Sequence, residues 1–218
     1  MRIVTWNCAG ALRRKTAAID ALGADILVVQ ECENPATSDS GYADWAGNYV
    51  WTGAIKHKGI GVFARHGVAI EELGWNGDGL AHFLPVRIGG RLDLLAVWTQ
   101  PVVPSTYSYI GQFWQYLQRH RAAFGPDLLI CGDFNSNAIW DRKRGTGTIR
   151  IACARSARPG WSACIISRQA SLRGRRANRP SSFTATRQSP STSTIYSHTP
   201  AGWRQDGRGC GSAIPRIG

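Results

Sequence analysis

Long hydrophobic runs are absent from this chain: no apolar stretch within its 218 residues approaches the ~20 that a membrane-spanning helix needs. No membrane partner is expected. Nor is there a secretory leader, because Met1-Arg2-Ile3-Val4-Thr5-Trp6 enters a strand pattern directly, and a cytoplasmic location is the expectation that follows. Paired cysteine spacing is missing as well. The six cysteines form no CxxC or zinc-type arrangement, which points to isolated reduced thiols and away from a disulfide scaffold or a zinc module.

The third scarcity is local. Residues 146–218 hold twelve Arg, no Lys, no Glu and a single Asp, Asp206, so this segment carries +11 of the chain's +12. The first 145 residues hold fourteen basic and thirteen acidic side chains, an ordinary globular balance. Stretches such as Arg173-Gly174-Arg175-Arg176 and Ser189-Pro190-Ser191-Thr192 present no apolar face at helical or strand spacing. That is the composition of loops or disorder. Two units are therefore expected: a coherent portion over 1–145 and an Arg/Ser-rich tail over 146–218.

What is present gathers at strand ends. Leu128-Leu129-Ile130-Cys131 is a buried-strand pattern followed by Gly132-Asp133-Phe134-Asn135-Ser136, which sets a carboxylate and an amide two residues apart on one face. The same residues also suit a turn, because Asp, Asn and Ser bond their own backbone. Two further short strands end in the same way. Arg2 to Trp6 ends at Asn7, and Ala24 to Val29 ends at Gln30-Glu31. Short apolar runs of this kind read as central strands, with their polar residues at one sheet edge.

Thr5-Trp6-Asn7, Gln30-Glu31 and Gly132-Asp133-Phe134-Asn135, in this order, resemble the endonuclease/exonuclease/phosphatase superfamily of metal-dependent phosphoesterases. Lys58-Gly59-Ile60-Gly61-Val62-Phe63 resembles the strand after that family's second motif, and Tyr109-x-x-Gln112 its tyrosine region. The resemblance covers residues 1 to about 145. It implies a two-sheet αβ sandwich flanked by helices, incomplete in its C-terminal part. Many relatives carry an acid two residues after the first Asn, where this chain has Ala9, so weak metal binding is expected.

The chemistry accounts for these residue types. A phosphodiester is anionic, and its hydrolysis calls for a hard divalent cation, Mg²⁺ or Mn²⁺, held by carboxylate and amide oxygens. By resemblance, Glu31 and Asn7 form the metal site, Asp133 orients and deprotonates the attacking water, Asn135 positions Asp133 or the phosphate, and Tyr109 joins them as a catalytic residue. Nucleic acid or another phosphodiester is the implied partner.

One part of the family's set is missing. The resemblance implies a C-terminal His-x-Asp or Asp-His element, yet none of His57, His66, His82, His120 and His198 has Asp at either of the next two positions. Only His198 follows Asp133, and it sits in Tyr196-Ser197-His198-Thr199-Pro200. If Pro190 to Ser197 are back-translated with permitted codons and read two bases later, they give FHIDYIF, which contains the element. The same shift permits an acid-bearing amphipathic segment from Gly147 to Ile166, and GDSPNW from Ala213 to Gly218. A small insertion or deletion near codons 137 to 147 explains the lost motif and the lost acids together. Three functions are open: a metal-dependent phosphodiester hydrolase impaired by the missing element, a catalytically dead fragment of that family, or a basic nucleic-acid-binding protein acting through its Arg-rich tail.

Patterning predicts strands over 2–6, 25–30, 49–54, 59–65, 68–74, 82–88, 92–99 and 127–131. Helices are predicted over 12–22, with Leu12, Ala18 and Leu22 inward, and over about 107–123. Trp6, Trp98 and Trp114 read as core, whereas Trp45, Trp51 and Trp75 read as near loops.

Overall fold

The computed structural model describes residues 1–104 and 107–136, and three short strands at 162–163, 194–199 and 202–205. Two sheets form its centre. In the first, β1 (Arg2–Asn7) and β2 (Ile26–Cys32) run parallel, β3 (Asn48–Ile55) and β4 (Lys58–Ala64) form a hairpin, and the order ends β1-β2-β4-β3. In the second, β5 (Ile70–Glu72), β6 (Phe83–Ile88), β7 (Leu92–Trp98) and β8 (Leu128–Asp133) lie in chain order, with β7 and β8 parallel. Short strands β9 (Ser162–Ala163), β10 (Thr194–Thr199) and β11 (Gly202–Gln205) extend the sheets, β9 beside β8 and β10 beside β1.

Strand alternation builds the layers. Ile26 and Val28 point into the space between the sheets with Ile3, Ile60 and Val62, where they meet Leu84, Val86, Leu94, Ala96 and Trp98 of the second sheet. Leu27 and Val29 face the other way, onto Leu12, Ile19, Tyr42 and Ala46. Buried on both faces, β2 reads as the unbroken run Ile26-Leu27-Val28-Val29. Each such side chain contributes about 1.5–3 kcal/mol relative to exposure. Helix α3 (Ile110–His120) covers the outer face of the second sheet, packing Phe113, Tyr116 and Leu117 on Leu95, Val97 and Ile130. The expected αβ sandwich is the fold observed.

Both parallel pairs place their C-terminal ends at a shared edge. Asn7 lies beside Gln30 in one, and Trp98 beside Asp133 in the other. Parallel neighbours need a crossover connection, and α3 lies within the one between β7 and β8. In both cases the polar residues that end the strands are brought to the rim where the sheets meet.

Several expectations need correction. The helix over 12–22 is two pieces, a 3-10 turn at Leu12–Arg14 and α1 (Thr16–Asp20), broken at Lys15 with φ −126° and ψ 6°. Lys15 is engaged elsewhere, because its ammonium donates to the carbonyls of Cys8 and Gly10 and closes the loop after β1. Ile19 is consequently the buried residue, while Ala18 is exposed. Helix α2 (Ser40–Ala46) lies where none was predicted; Asp39 caps it, accepting from the Tyr42 N–H at 2.9 Å. Trp45 belongs to that helix and stacks on Tyr42, and Trp51 lies within β3. Apart from β9, β10 and β11, the tail over 146–218 lies outside the described residues. No helix among the described residues is long and apolar enough to cross a membrane.

Candidate active site

Three of the sequence-selected side chains meet at the shared rim. The Asn7 amide nitrogen donates to Glu31 Oε1 at 2.9 Å and to Asp133 Oδ2 at 2.7 Å. A single neutral group thus bridges two carboxylates that arrive from different sheets. The amide orientation is fixed from behind, since Asn7 Oδ1 accepts the Ala9 N–H at 3.0 Å. Asn7 is 8% exposed and Asp133 3%, whereas the Glu31 side chain keeps 13%. Glu31 is the member of the three most open to an incoming ligand.

Local backbone geometry puts each group there. Register against β4 slips between Gln30 and Cys32, and Glu31 has φ 64° in that bulge. A left-handed Glu costs about 1 kcal/mol or more. The bulge re-aims one side chain of an otherwise apolar strand. On β8, Gly132 has φ 143°, and a Cβ there would lie 1.9 Å from the Val97 carbonyl oxygen. Only glycine allows β7 and β8 to approach this closely immediately before Asp133.

Beyond the strand, Asn135 adopts φ 44°, and its N–H donates to Asp133 Oδ1 at 3.0 Å. Its amide donates to the Thr99 carbonyl at 3.1 Å, and Thr99 N–H returns a bond to the Asp133 carbonyl at 3.0 Å. The turn reading of Asp133-x-Asn135 holds, and the Asx turn orients the carboxylate.

Tyr109 is placed differently. It precedes α3 at φ 51°, is 37% exposed, and donates its N–H to the Gln100 carbonyl, which the buried Gln112 amide also reaches.

Two neighbours were not singled out from sequence. Lys58, at the start of β4, reaches Glu31 Oε2 at 3.1 Å, and its ammonium stands 5.5 Å from the centre of the Trp98 ring. His82 stacks on Trp98 at 4.7 Å between ring centres, and burial holds its imidazole below the ordinary value. The signal for Lys58 was its place at the head of a quoted motif strand. Nothing in its spacing tied it to Glu31.

Two of the cysteines beside the motifs are buried thiols. Burial pushes the Cys8 thiol up to about 12 and raises Cys32 well above its ordinary value, so both remain protonated and inert. Among the described residues no three His, Cys, Asp or Glu side chains cluster as a metal cage. The donors gathered here are two carboxylates and one amide. His198 stands at the opposite end of β1 from Asn7, since Ser197 pairs with Arg2 and Thr194 with Thr5.

No curated protein matches the chain. Among solved structures, it is similar to a 3'-5' exonuclease (NExo) from Neisseria meningitidis, at 18% identity and TM-score 0.47 over 63% of this chain and 59% of that one. It is similar also to the endonuclease domain of TRAS1, a telomere-specific non-LTR retrotransposon, at 17% identity and TM-score 0.49 over 71% of each chain. An AP endonuclease from Archaeoglobus fulgidus follows at 17% identity and TM-score 0.46, over 63% of this chain and 58% of that one. The aligned portion is thus less than two thirds of the exonuclease and of the AP endonuclease. A model of the Endonuclease/Exonuclease/phosphatase family matches residues 4–205, well past residue 145 where the motif resemblance ends, and the chain belongs to that family.

Proposed function

We propose that this chain is built as a divalent-metal-dependent phosphodiester hydrolase, acting on nucleic acid or another phosphodiester. The observation that carries this reading is the Asn7 amide seated between Glu31 and Asp133 at 2.9 and 2.7 Å. The two carboxylates fit a hard cation: Glu31 and Asp133 offer oxygens, the Asn7 amide turns its N–H toward them, and Glu31 already stabilises a positive charge in the Lys58 ammonium at 3.1 Å. Glu31 would hold the metal, with Asn7 beside it. When bound, Mg²⁺ or Mn²⁺ supplies neutralisation of the phosphoryl oxygens.

The remaining work falls to side chains. Asp133 accepts hydrogen bonds from the Asn7 amide at Oδ2 and from the Asn135 N–H at Oδ1, which together fix the plane of its carboxylate. It therefore stands oriented to take the proton of an attacking water. Asn135, pinned to the Thr99 carbonyl, positions Asp133. Exposed Tyr109 is the reserve contact for substrate.

Calorimetric titration of the purified chain with Mg²⁺ tests the reading. A weak binding heat is expected that Glu31→Gln removes, and an unchanged heat in that variant would take Glu31 out of the site. The +11 charge of residues 146–218 favours a second reading, nucleic-acid binding by the tail. Salt-sensitive DNA binding that survives deletion of residues 1–145 would support it.

A further inference from the structure

Lys58 and Trp98 come from different sheets and meet only at the rim that holds Glu31 and Asp133. Lys58 opens β4, whose neighbour in the sheet is the Glu31 strand; Trp98 closes β7 and pairs in register with Asp133. The ammonium is held on two sides, by Glu31 Oε2 at 3.1 Å and by the indole face at 5.5 Å. Trp98 is itself braced, its ring stacked on His82 and its backbone N–H donating to the His82 carbonyl at 2.9 Å. It is 4% exposed, while the Lys58 side chain keeps 47%. The indole is a fixed platform and the lysine a movable charge.

An ion pair this exposed is worth little as a structural tie. Its location matters more, because a divalent cation entering at Glu31 meets a like charge already there. The cation's arrival would free the ammonium from the carboxylate without freeing it from the indole, whose attraction for a cation is independent of Glu31. A lysine kept at the rim in that way is a compact point charge suited to an anionic oxygen.

We infer that Lys58 is the built-in counter-ion of Glu31, displaced by the divalent metal, and that the displaced ammonium, retained over Trp98, binds a non-bridging phosphate oxygen of the diester. This rests on the metal reading of Glu31. It makes Lys58 a substrate-binding residue whose availability is set by the metal.

The test uses the full chain and two probes, Mn²⁺ alone and then a dinucleoside monophosphate at saturating Mn²⁺, both followed by calorimetry. Because Lys58 is half exposed at a strand start, Lys58→Met should fold, which circular dichroism checks. The expected result is Mn²⁺ affinity raised about two- to fivefold by loss of the competing charge, with diester affinity lowered about threefold or more. Lys58→Arg should restore diester binding. Unchanged or weaker Mn²⁺ binding in Lys58→Met would overturn the inference and leave the Glu31 metal reading standing. Tighter Mn²⁺ binding with unaltered diester affinity would overturn the phosphate contact. No Mn²⁺ heat in any of the three chains would overturn the metal reading and this inference with it.

Discussion

Asn7 is a neutral donor between two buried or half-buried anions, and that makes it the most informative single residue to change. Asn7→Leu keeps the volume and removes both bonds, leaving two carboxylates to share a rim without a hydrogen between them. A loss of about 2 kcal/mol or more in urea unfolding is expected, part of which saturating Mg²⁺ should return by placing a positive charge between the carboxylates. Equal stability of variant and parent would mean that the bridge stores nothing. His82 gives a second test at this scale. Its folded-state pKa lies below the ordinary 6.5 because burial opposes the charged ring, so the unfolded chain takes up the proton first as pH falls. Stability should therefore decline from 6.5 downward until the folded-state value is passed, and His82→Phe should flatten that part of the curve. A parent and variant with parallel profiles below pH 6.5 would contradict this. Asn7, Glu31 and Asp133 were legible in the sequence because each closes a short apolar run. Lys58 was not, since its contact with Glu31 exists only once β2 and β4 pair and a bulge turns Glu31 toward it.

At the scale of elements, the site depends on how closely β7 and β8 approach. Gly132 is the point of contact: the nearest atom to an added Cβ would be the Val97 carbonyl oxygen, 1.9 Å away, and backbone cannot yield as a flexible side chain does. Gly132→Ala should cost about 3 kcal/mol or more and displace Asp133. Gly125→Ala is the control. Gly125 has open space around its Cβ position and no left-handed φ, so its change should stay within about 0.5 kcal/mol. Similar melting temperatures for the two variants would refute the close-approach argument. The same scale explains which elements could be read in advance. Strands buried on both faces announce themselves as apolar runs, and α3 by its spacing of Phe113, Tyr116 and Leu117. The 12–22 segment misled because its apolar spacing is helical while Lys15 is recruited by the carbonyls of the preceding loop. Helix α2 has seven residues and opens Ser40-Gly41, too short and too turn-like for periodicity to detect.

For the whole molecule, the question is what completes the rim on the side of β10. In the register observed, Thr194 pairs with Thr5 and Ser197 with Arg2, the strand running antiparallel to β1. The shifted reading of Pro190 to Ser197 gives FHIDYIF, whose Asp codon overlaps codons 193 and 194 and whose His codon overlaps 191 and 192. In the shifted His and Asp codons the last two bases are dictated by Thr192 and Thr194, and only the first is free. The out-of-frame reading would supply the imidazole and carboxylate of the missing element, whereas the chain as written brings its His198 to the end of β1 away from Asn7. Loss of one preorganised stabiliser of transition-state charge typically costs ~10²–10³ in rate, so the chain as written should hydrolyse phosphodiesters at close to background. Sequencing the gene across codons 130 to 150, then expressing the form whose edit restores FHIDYIF, is the decisive experiment. The restored protein should melt higher and cleave DNA or a small diester in a Mg²⁺-dependent manner that Asp133→Ala abolishes. Vigorous Asp133-dependent activity in the chain as written would reject the out-of-frame reading of residues after about 146. A restored frame that folds, binds Mg²⁺ and still fails to act would reject the proposed hydrolase, because the rim would then hold every group the mechanism asks for.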